Sequence, residues 1–304
     1  MSMRLVIILS LTLCAPIASA QETGLSFLRI GVNARAGSMG DAQTASTDNA
    51  FATYWNPAGL AHRTHSVAGS HRIWIGDIRV YDVVAQLPAG RNSTWGLSIT
   101  ATDSGDLDAR TQPGEPDGTF SAQFISTGIS YARSFRGLRA GITAKFLRER
   151  IFDTNASGYA VDIGFQMDLL EQRLNAGFAL RNFGHMTALE IERTPLPRLL
   201  QGGIALSPLQ IIANHDQTQL LDLMISVEAS HLLDGAFTRL HFGCAVTIME
   251  LVDLRGGYIT NDQLRNFTFG LGLLFDRIDA DYAFIPFEDG FDGPGHILSI
   301  IYHW

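Results

Sequence analysis

The stretch Leu138-Arg139-Ala140-Gly141-Ile142-Thr143-Ala144-Lys145-Phe146 decides the fold. Leu138, Ala140, Ile142, Ala144 and Phe146 take one face, and Arg139, Gly141, Thr143 and Lys145 the other. A period of two belongs to a β-strand, whose successive side chains leave on opposite faces. The next run repeats it. Tyr159, Val161, Ile163, Phe165 and Met167 lie opposite Gly158, Ala160, Asp162, Gly164 and Gln166. Leu174, Ala176, Phe178 and Leu180 then alternate with Arg173, Asn175, Gly177 and Arg181. Further on, Leu240, Phe242, Cys244 and Val246 oppose Arg239, His241 and Thr247, and Phe267, Phe269, Leu271, Leu273 and Phe275 oppose Asn266, Thr268, Gly270 and Gly272.

An apolar face opposite one bearing Arg, Lys, Asp and Glu is what lipid outside and water inside require. A soluble sandwich alternates too, but segment after segment here runs about ten residues, the tilted span of a bilayer core. Fourteen segments fit: 66–75, 78–88, 91–102, 121–133, 138–148, 157–168, 173–182, 198–206, 219–230, 237–248, 250–259, 264–275, 277–286 and 296–304. The expected fold is an all-β transmembrane antiparallel barrel of about fourteen strands, an even number as single-chain bacterial barrels have. Ala89-Gly90-Arg91-Asn92, Arg136-Gly137 and Gly76-Asp77 read as short turns. The longer connections, 103–120, 149–156, 183–197, 207–218 and 287–295, are expected outside the cell, which leaves both termini in the periplasm.

Composition agrees. The 304 residues include 30 glycines, only 17% charged residues and two cysteines, and mean hydropathy is slightly positive. Residues 1–20 read as a cleaved signal peptide: Arg4, an apolar run from Leu5 to Ile17, then Ala18-Ser19-Ala20. Its removal takes Arg4 and Cys14 and moves the formal net charge from −8 to −9. One cysteine, Cys244, remains, so no internal disulfide framework is possible. The acidic balance excludes nucleic acid as a partner. Lys145 is the only lysine among the 22 basic residues. An exported, fairly apolar chain without a helical span points to the outer membrane of a Gram-negative bacterium. Ile300, Tyr302 and Trp304 share a face at the C-terminus, a terminal aromatic pattern similar to the signal by which barrels are inserted. The expected partners are therefore the barrel-assembly machinery and outer-membrane lipid.

Residues 21–65 lack the alternation. Gly31, Gly37 and Gly40 interrupt any long helix. Ser46-Thr47-Asp48-Asn49 suits a helix N-cap, Ala50 to Trp55 a single turn, and Asn56-Pro57 its end. The wall should start near Ser66, with everything before Leu60 inside or beneath it.

Sites for chemistry are few. His62, His65 and His71 have no acidic or cysteine neighbour to complete a metal set. His241 with Asp222 or Glu228 lacks a nucleophile signature. Asp103, Asp106, Asp108, Glu115 and Asp117 do not follow a calcium-loop spacing. No catalytic residue, metal or cofactor is expected. Arg139, Lys145, Arg173, Arg181, Arg239 and Arg255 fall on the polar faces with Asp162, Asp222, Glu228, Asp253, Asp279 and Asp281. Such a network would hold the lumen rigid or form an anion-docking site.

Ala34-Arg35-Ala36-Gly37-Ser38-Met39-Gly40-Asp41-Ala42 and Tyr54-Trp55-Asn56-Pro57-Ala58-Gly59-Leu60 resemble the paired N-terminal elements of the PorV/PorQ family, itself similar to the FadL long-chain fatty-acid transporters. Gly118 to Ala122, Ser130 to Arg133, Gly158 to Gly164 and Arg181 to Gly184 extend the likeness. The resemblance implies fourteen strands around an N-terminal hatch of residues 21–65, with Arg35, Gly37, Asn56, Pro57, Ala58 and Gly59 in its gating elements. In FadL-like proteins a hydrophobic ligand enters from outside and leaves sideways through the wall. The implied function is non-enzymatic transport of hydrophobic small molecules. The alternative is an accessory role in type IX secretion, docking cargo proteins at the outer membrane.

Overall fold

The computed structural model describes residues 24–110, 112, 114–170, 173–189, 192–212, 220–235, 237–288 and 293–304. The signal segment and parts of the connections 207–218 and 287–295 lie outside the described residues. Eighteen strands are present among them. In chain order they are β1 (Ser66–Ile73), β2 (Arg79–Ala89), β3 (Ser93–Asp103), β4 (Leu107–Ala109), β5 (Gly118–Phe120), β6 (Ala122–Phe135), β7 (Leu138–Ile151), β8 (Thr154–Leu169) and β9 (Leu174–Met186). Then come β10 (Ala188–Leu189), β11 (Glu192–Arg193), β12 (Leu199–Leu206), β13 (Leu221–Leu232), β14 (Phe237–Ile248), β15 (Val252–Ile259), β16 (Phe267–Phe275), β17 (Ile278–Ile285) and β18 (Gly295–His303).

Fourteen of these strands hydrogen-bond in one closed ring, each antiparallel to its neighbours, and β1 pairs with both β2 and β18 to close it. Closure satisfies every ladder and leaves no edge in lipid. The hairpins β4–β5 and β10–β11 stand outside the ring, in the connections after β3 and β9. The faces fall as the alternation dictates. On β7, Ile142 and Phe146 are exposed to the lipid side while Arg139, Thr143 and Lys145 are buried within. Cys244 is exposed on the lipid face of β14. The chain is thus a transmembrane barrel of the Gram-negative outer membrane.

The two ends differ. One, the turn end, carries the tight connections after β2, β6, β15's predecessor β14 and β16, together with Trp304. Arg136 and Gly137, between β6 and β7, both take positive φ (47° and 89°), as a two-residue hairpin matched to strand twist requires. The other, the loop end, carries the connections after β3, β9 and β17. Two expectations need correction. Residues 149–156 form no long loop: β7 and β8 run on to Ile151 and Thr154, because Glu149 turns inward and keeps the alternation alive. The connection 207–218 leaves β12 at the turn end, so length alone does not assign a connection to a side.

Residues 24–65 lie within the ring. They contain a 3₁₀ turn (Ser26–Arg29), the helix α1 (Ala34–Ser38), the helix α2 (Ala52–Trp55) and a 3₁₀ turn (Pro57–His62). Asn49 Oδ1 accepts from Phe51 N at 3.0 Å, in the predicted capping cluster. Asn56 is extended, as a residue before proline must be, but the chain then coils again to His62, further than the sequence led us to expect. α1 packs on β15, β16, β17 and β18, and the Pro57–His62 turn on β3, β6, β7 and β8, the opposite arc. The segment therefore bridges the lumen from wall to wall.

Wall glycines let it lie so close. A Cβ on Gly164 would collide with the Asn56 side chain, one on Gly141 with the Pro57 carbonyl, and one on Gly177 with the Thr44 carbonyl. Gly164→Val should therefore displace the Pro57–His62 turn at a cost of about 1–3 kcal/mol. Limited proteolysis of residues 40–65 in the folded barrel measures it, and unchanged protection would refute the seating. Trp304 stacks on Tyr302 at 6.2 Å and its N donates to His65 O at 3.1 Å, beside the β1–β18 closure. Trp304→Ala is expected to slow assembly, read as a lasting fraction without heat-modifiable gel migration.

Candidate functional site

The site is the lumen, and its floor is the N-terminal segment. Asn56, fully buried, supplies the central knot. Its Nδ2 donates to Thr44 O at 2.7 Å and to Phe165 O on β8 at 3.0 Å, while its Oδ1 accepts from Ala58 N at 3.1 Å. One carboxamide thus ties two parts of the segment to the wall and caps the following turn. Gln166 Nε2 donates to Thr44 O and Thr47 O at 3.1 and 3.0 Å, and Gln86 Nε2 to Leu60 O at 2.9 Å. On the far arc, Ala34 N donates to Ser299 Oγ at 2.8 Å, Gly40 N to Thr268 Oγ1 at 3.0 Å and Thr44 N to Glu228 Oε2 at 2.8 Å. Pro57, Ala58 and Gly59 are buried in their turn. Gly37 packs against Ile297 and Arg72, and Arg35 pairs within the segment, 3.6 Å from Asp48.

The charged lumen residues form separate clusters, each closed by short contacts. Lys145 Nζ lies 2.5 Å from Asp162 Oδ2 and donates to Asn182 Oδ1 at 3.0 Å; Asp162 Oδ1 accepts from Asn182 N at 2.7 Å. Arg139 meets Asp168 through two parallel contacts of 2.5 Å. Arg255 sits between Asp253 and Asp281, 2.5 Å from each. Asp279 accepts from His303 Nε2 at 2.8 Å. Arg239 lies 3.6 Å from Asp262. Arg173 directly precedes β9, and its carbonyl accepts from Ser207 N at 2.9 Å, continuing the pairing with β12. Asp222 takes a hydrogen bond from Gln210 at 2.7 Å near the turn end, away from His241.

The histidines do not converge. His71 stacks on Tyr81 on the outer face, His65 lies against Trp304, and His62 ends the buried turn. His241 faces inward: Gly40 O can only accept, so His241 Nδ1 donates to it at 2.7 Å, and Nε2 shares a hydrogen bond of 2.7 Å with Ser230 Oγ.

Sequence reasoning missed an ion pair that ties the segment to the 260–266 connection. Asp41 Oδ2 binds Arg265 Nη2. Burial pushes the Asp41 carboxyl up, but the guanidinium groups of Arg265 and Arg72 outweigh it and hold it below the usual carboxylate range. The pair joins α1's exit to the 260–266 connection, where no periodicity could flag Arg265.

Above this floor, at the loop end, opens a cavity of about 1040 Å³ whose apolar lining includes Ile30, Trp74, Ile75, Ile78, Phe237 and Leu264. Beneath it are a cavity of about 50 Å³ lined by Arg29, Asp41, Arg181, Arg239 and Arg265, and another of about 10 Å³ beside Tyr54 and Asp82. Neither lower cavity exceeds the room for a few waters. The vestibule is open to the loop end and shut at its base.

No family model matches the sequence, and no curated protein does. Solved structures do match. The toluene transporter TodX of Pseudomonas putida superposes with a TM-score of 0.64 at 12% identity, over 90% of this chain and 98% of that one. The CymD monoaromatic hydrocarbon channel gives 0.62 at 11%, over 90% and 97%. A FadL homologue of Pseudomonas aeruginosa gives 0.54 at 11%, over 90% and 98%. At such identities the likeness is one of fold, a fourteen-strand FadL-like barrel.

The buried pair of Lys145 and Asp162 gives a direct test. Lys145→Met should cost about 3–5 kcal/mol by stranding a buried carboxylate. The double change Lys145→Gln, Asp162→Asn keeps the hydrogen bonds and should cost much less. Denaturant unfolding in lipid nanodiscs checks it; equal losses would argue against the pairing.

Proposed function

We propose that the protein is a non-enzymatic outer-membrane channel for hydrophobic small molecules, of the PorV/PorQ type, in which residues 24–65 form a hatch. The observation that carries this reading is the apolar vestibule of about 1040 Å³ that ends on the buried N-terminal segment. Ligand sites of this kind are concave and mostly apolar with a few placed polar groups. The FadL-like fold of hydrocarbon channels and toluene transporters supports it by analogy.

A ligand enters the vestibule from the loop end, taken as the cell exterior, and leaves the surrounding water by burying apolar area against Trp74, Phe237 and the isoleucines. The cavities below are too small for even one aromatic ring, so passage requires the segment to shift. Gly37, Arg35 and the Asn56-Pro57-Ala58-Gly59 turn are the elements that would move or anchor it. Docking of secreted cargo in a type IX system remains the second reading suggested by the motif residues; copurification of a secreted protein with the barrel would favour it.

Locking the hatch tests gating. A Cβ on Gly243 would stand 3.0 Å from Met39 Cβ, shorter than the roughly 3.5–4.5 Å of a disulfide, so a small outward shift of residue 39 would let the two positions be bridged. In a Cys244→Ser background, Met39→Cys with Gly243→Cys should block uptake of a small aromatic hydrocarbon into liposomes when oxidised and restore it on reduction. Uptake that ignores the redox state would sink the hatch as gate.

A further inference from the structure

Four arginines line the base of the vestibule, and a fifth, Arg72, stacks on Trp74 beside them. The inner cavity is lined by Arg29, Arg181, Arg239 and Arg265 against two carboxylates, Asp41 and Asp262. Guanidinium groups stay charged at any physiological pH. The lining side chains therefore carry two more guanidinium groups than carboxylates, and the buried Glu228 stands one hydrogen bond behind them, on Gln201.

The donors are aimed and unfilled by the protein. Arg181, 1% exposed, gives Nη1 to Gln201 Oε1 at 3.1 Å, but its Nε and Nη2 have no protein acceptor. Those two atoms form one edge of the guanidinium fork, the edge that grips a planar or tetrahedral oxyanion through two bonds. The Tyr54 ring, 4.0 Å below the guanidinium carbon, holds the fork in place. Arg265 uses Nη2 on Asp41 and leaves Nη1 without an acceptor. Arg72, fully buried, has no acceptor for any of its three nitrogens and shares the Trp74 ring with Arg265, at 4.9 and 5.1 Å. Arg29 and Arg239 likewise share Phe237, at 5.2 and 5.1 Å. Trp74 and Phe237 both line the apolar vestibule directly above. One acceptor is also unfilled: Asp41 Oδ1 lies beside Gly31.

We infer that the ligand of this channel is an amphiphile whose head is a doubly charged oxyanion, a phosphate monoester being the simplest, seated among Arg181, Arg265, Arg29 and Arg239 with its apolar tail in the vestibule. The inference rests on the vestibule being the ligand's entry. It separates this chain from a pore for neutral hydrocarbon, because a neutral molecule would leave the guanidinium edges and their charge uncompensated. A dianion offsets the excess of two charges; a carboxylate offsets half of it.

The test compares one tail with three heads. The mature protein in nanodiscs of zwitterionic lipid is titrated calorimetrically with octyl phosphate, octanoate and octanol, and with inorganic phosphate. Octyl phosphate should bind most tightly and octanol most weakly, with inorganic phosphate far weaker than octyl phosphate. Arg181→Gln, and separately Arg29→Gln with Arg239→Gln, should each weaken octyl phosphate about tenfold or more while leaving octanol unchanged. The second variant changes half-buried rim residues, so it reports even if the first misassembles on a heat-modifiability gel. Octanol binding as tightly as octyl phosphate would overturn the oxyanion site while the apolar vestibule stood. Octanoate equal to octyl phosphate would overturn the doubly charged head. Inorganic phosphate equal to octyl phosphate would overturn the amphiphile. Failure of all three octyl compounds to bind would overturn the vestibule as an entry, and the inference with it.

Discussion

Every polar group that a transmembrane barrel turns inward needs a partner, because lipid on the outside offers none and a narrow lumen holds little water. In this chain the N-terminal segment supplies many of those partners. Glu228, Thr268, Ser299, Gln86 and Gln166 all lie on wall strands, and all bond to backbone groups of residues 34–60. The dependence is mutual. A segment with only four- to six-residue helical turns cannot satisfy its own backbone, and the wall side chains do it instead. Floor and wall are therefore one hydrogen-bonded object in this state.

The closeness that makes those bonds possible comes from glycine. Gly141, Gly164 and Gly177 occupy inward positions of three adjacent strands; the Asn56-Pro57 corner rests on the first two and Thr44-Ala45 on the third. A side chain at Gly141 or Gly164 would hold the corner off the wall and lengthen the Asn56 contact to Phe165. The charged residues divide along the same axis. Towards the turn end they close as tight pairs, Arg139 with Asp168 and Arg255 with two aspartates, which stiffen the wall. Towards the loop end, arginines gather beneath apolar rings with donors to spare. The first arrangement suits a frame and the second a binding floor.

Much of the wall was legible in the sequence. β7, β8 and β14 alternate cleanly because their inward residues are polar or small, so period two alone assigns their faces. β18 is harder to read: Ile297 and Ile301 point inward and Leu298, Ile300 and Tyr302 outward, because the inner face packs on apolar residues of the segment. The inner core of Val32, Phe51, Tyr54 and Trp55 against Ala68, Val84 and Ile301 has no periodic trace for the same reason. Lumen residues on strands, such as Lys145, Asp162 and Arg181, could be found by their face. Arg29, Asp41 and Arg265 could not, since each lies in a turn or connection and only the closure of the ring brings them together.

The segment is not anchored evenly, and the difference bears on how it could move. Its first part, Leu25 to Leu28, rests on Leu147, Ala156, Ala160 and Met186 through apolar contact, with Phe27 stacked on Phe124 at 5.0 Å. Non-directional contacts of this kind permit sliding, since they lose little on a small displacement. Its later part, from Gly40 to Leu60, is fixed by directional bonds to buried partners, and breaking any one strands a donor or acceptor away from water. The Asp41–Arg265 pair stands at the start of this later part and borders the arginine-lined cavity. An anion drawn to Arg265 competes with Asp41 for the same guanidinium. Arrival of a charged head at the floor would thus weaken an ion pair that ties the start of the directionally bonded part to the 260–266 connection, which couples occupancy of the vestibule to release of its base.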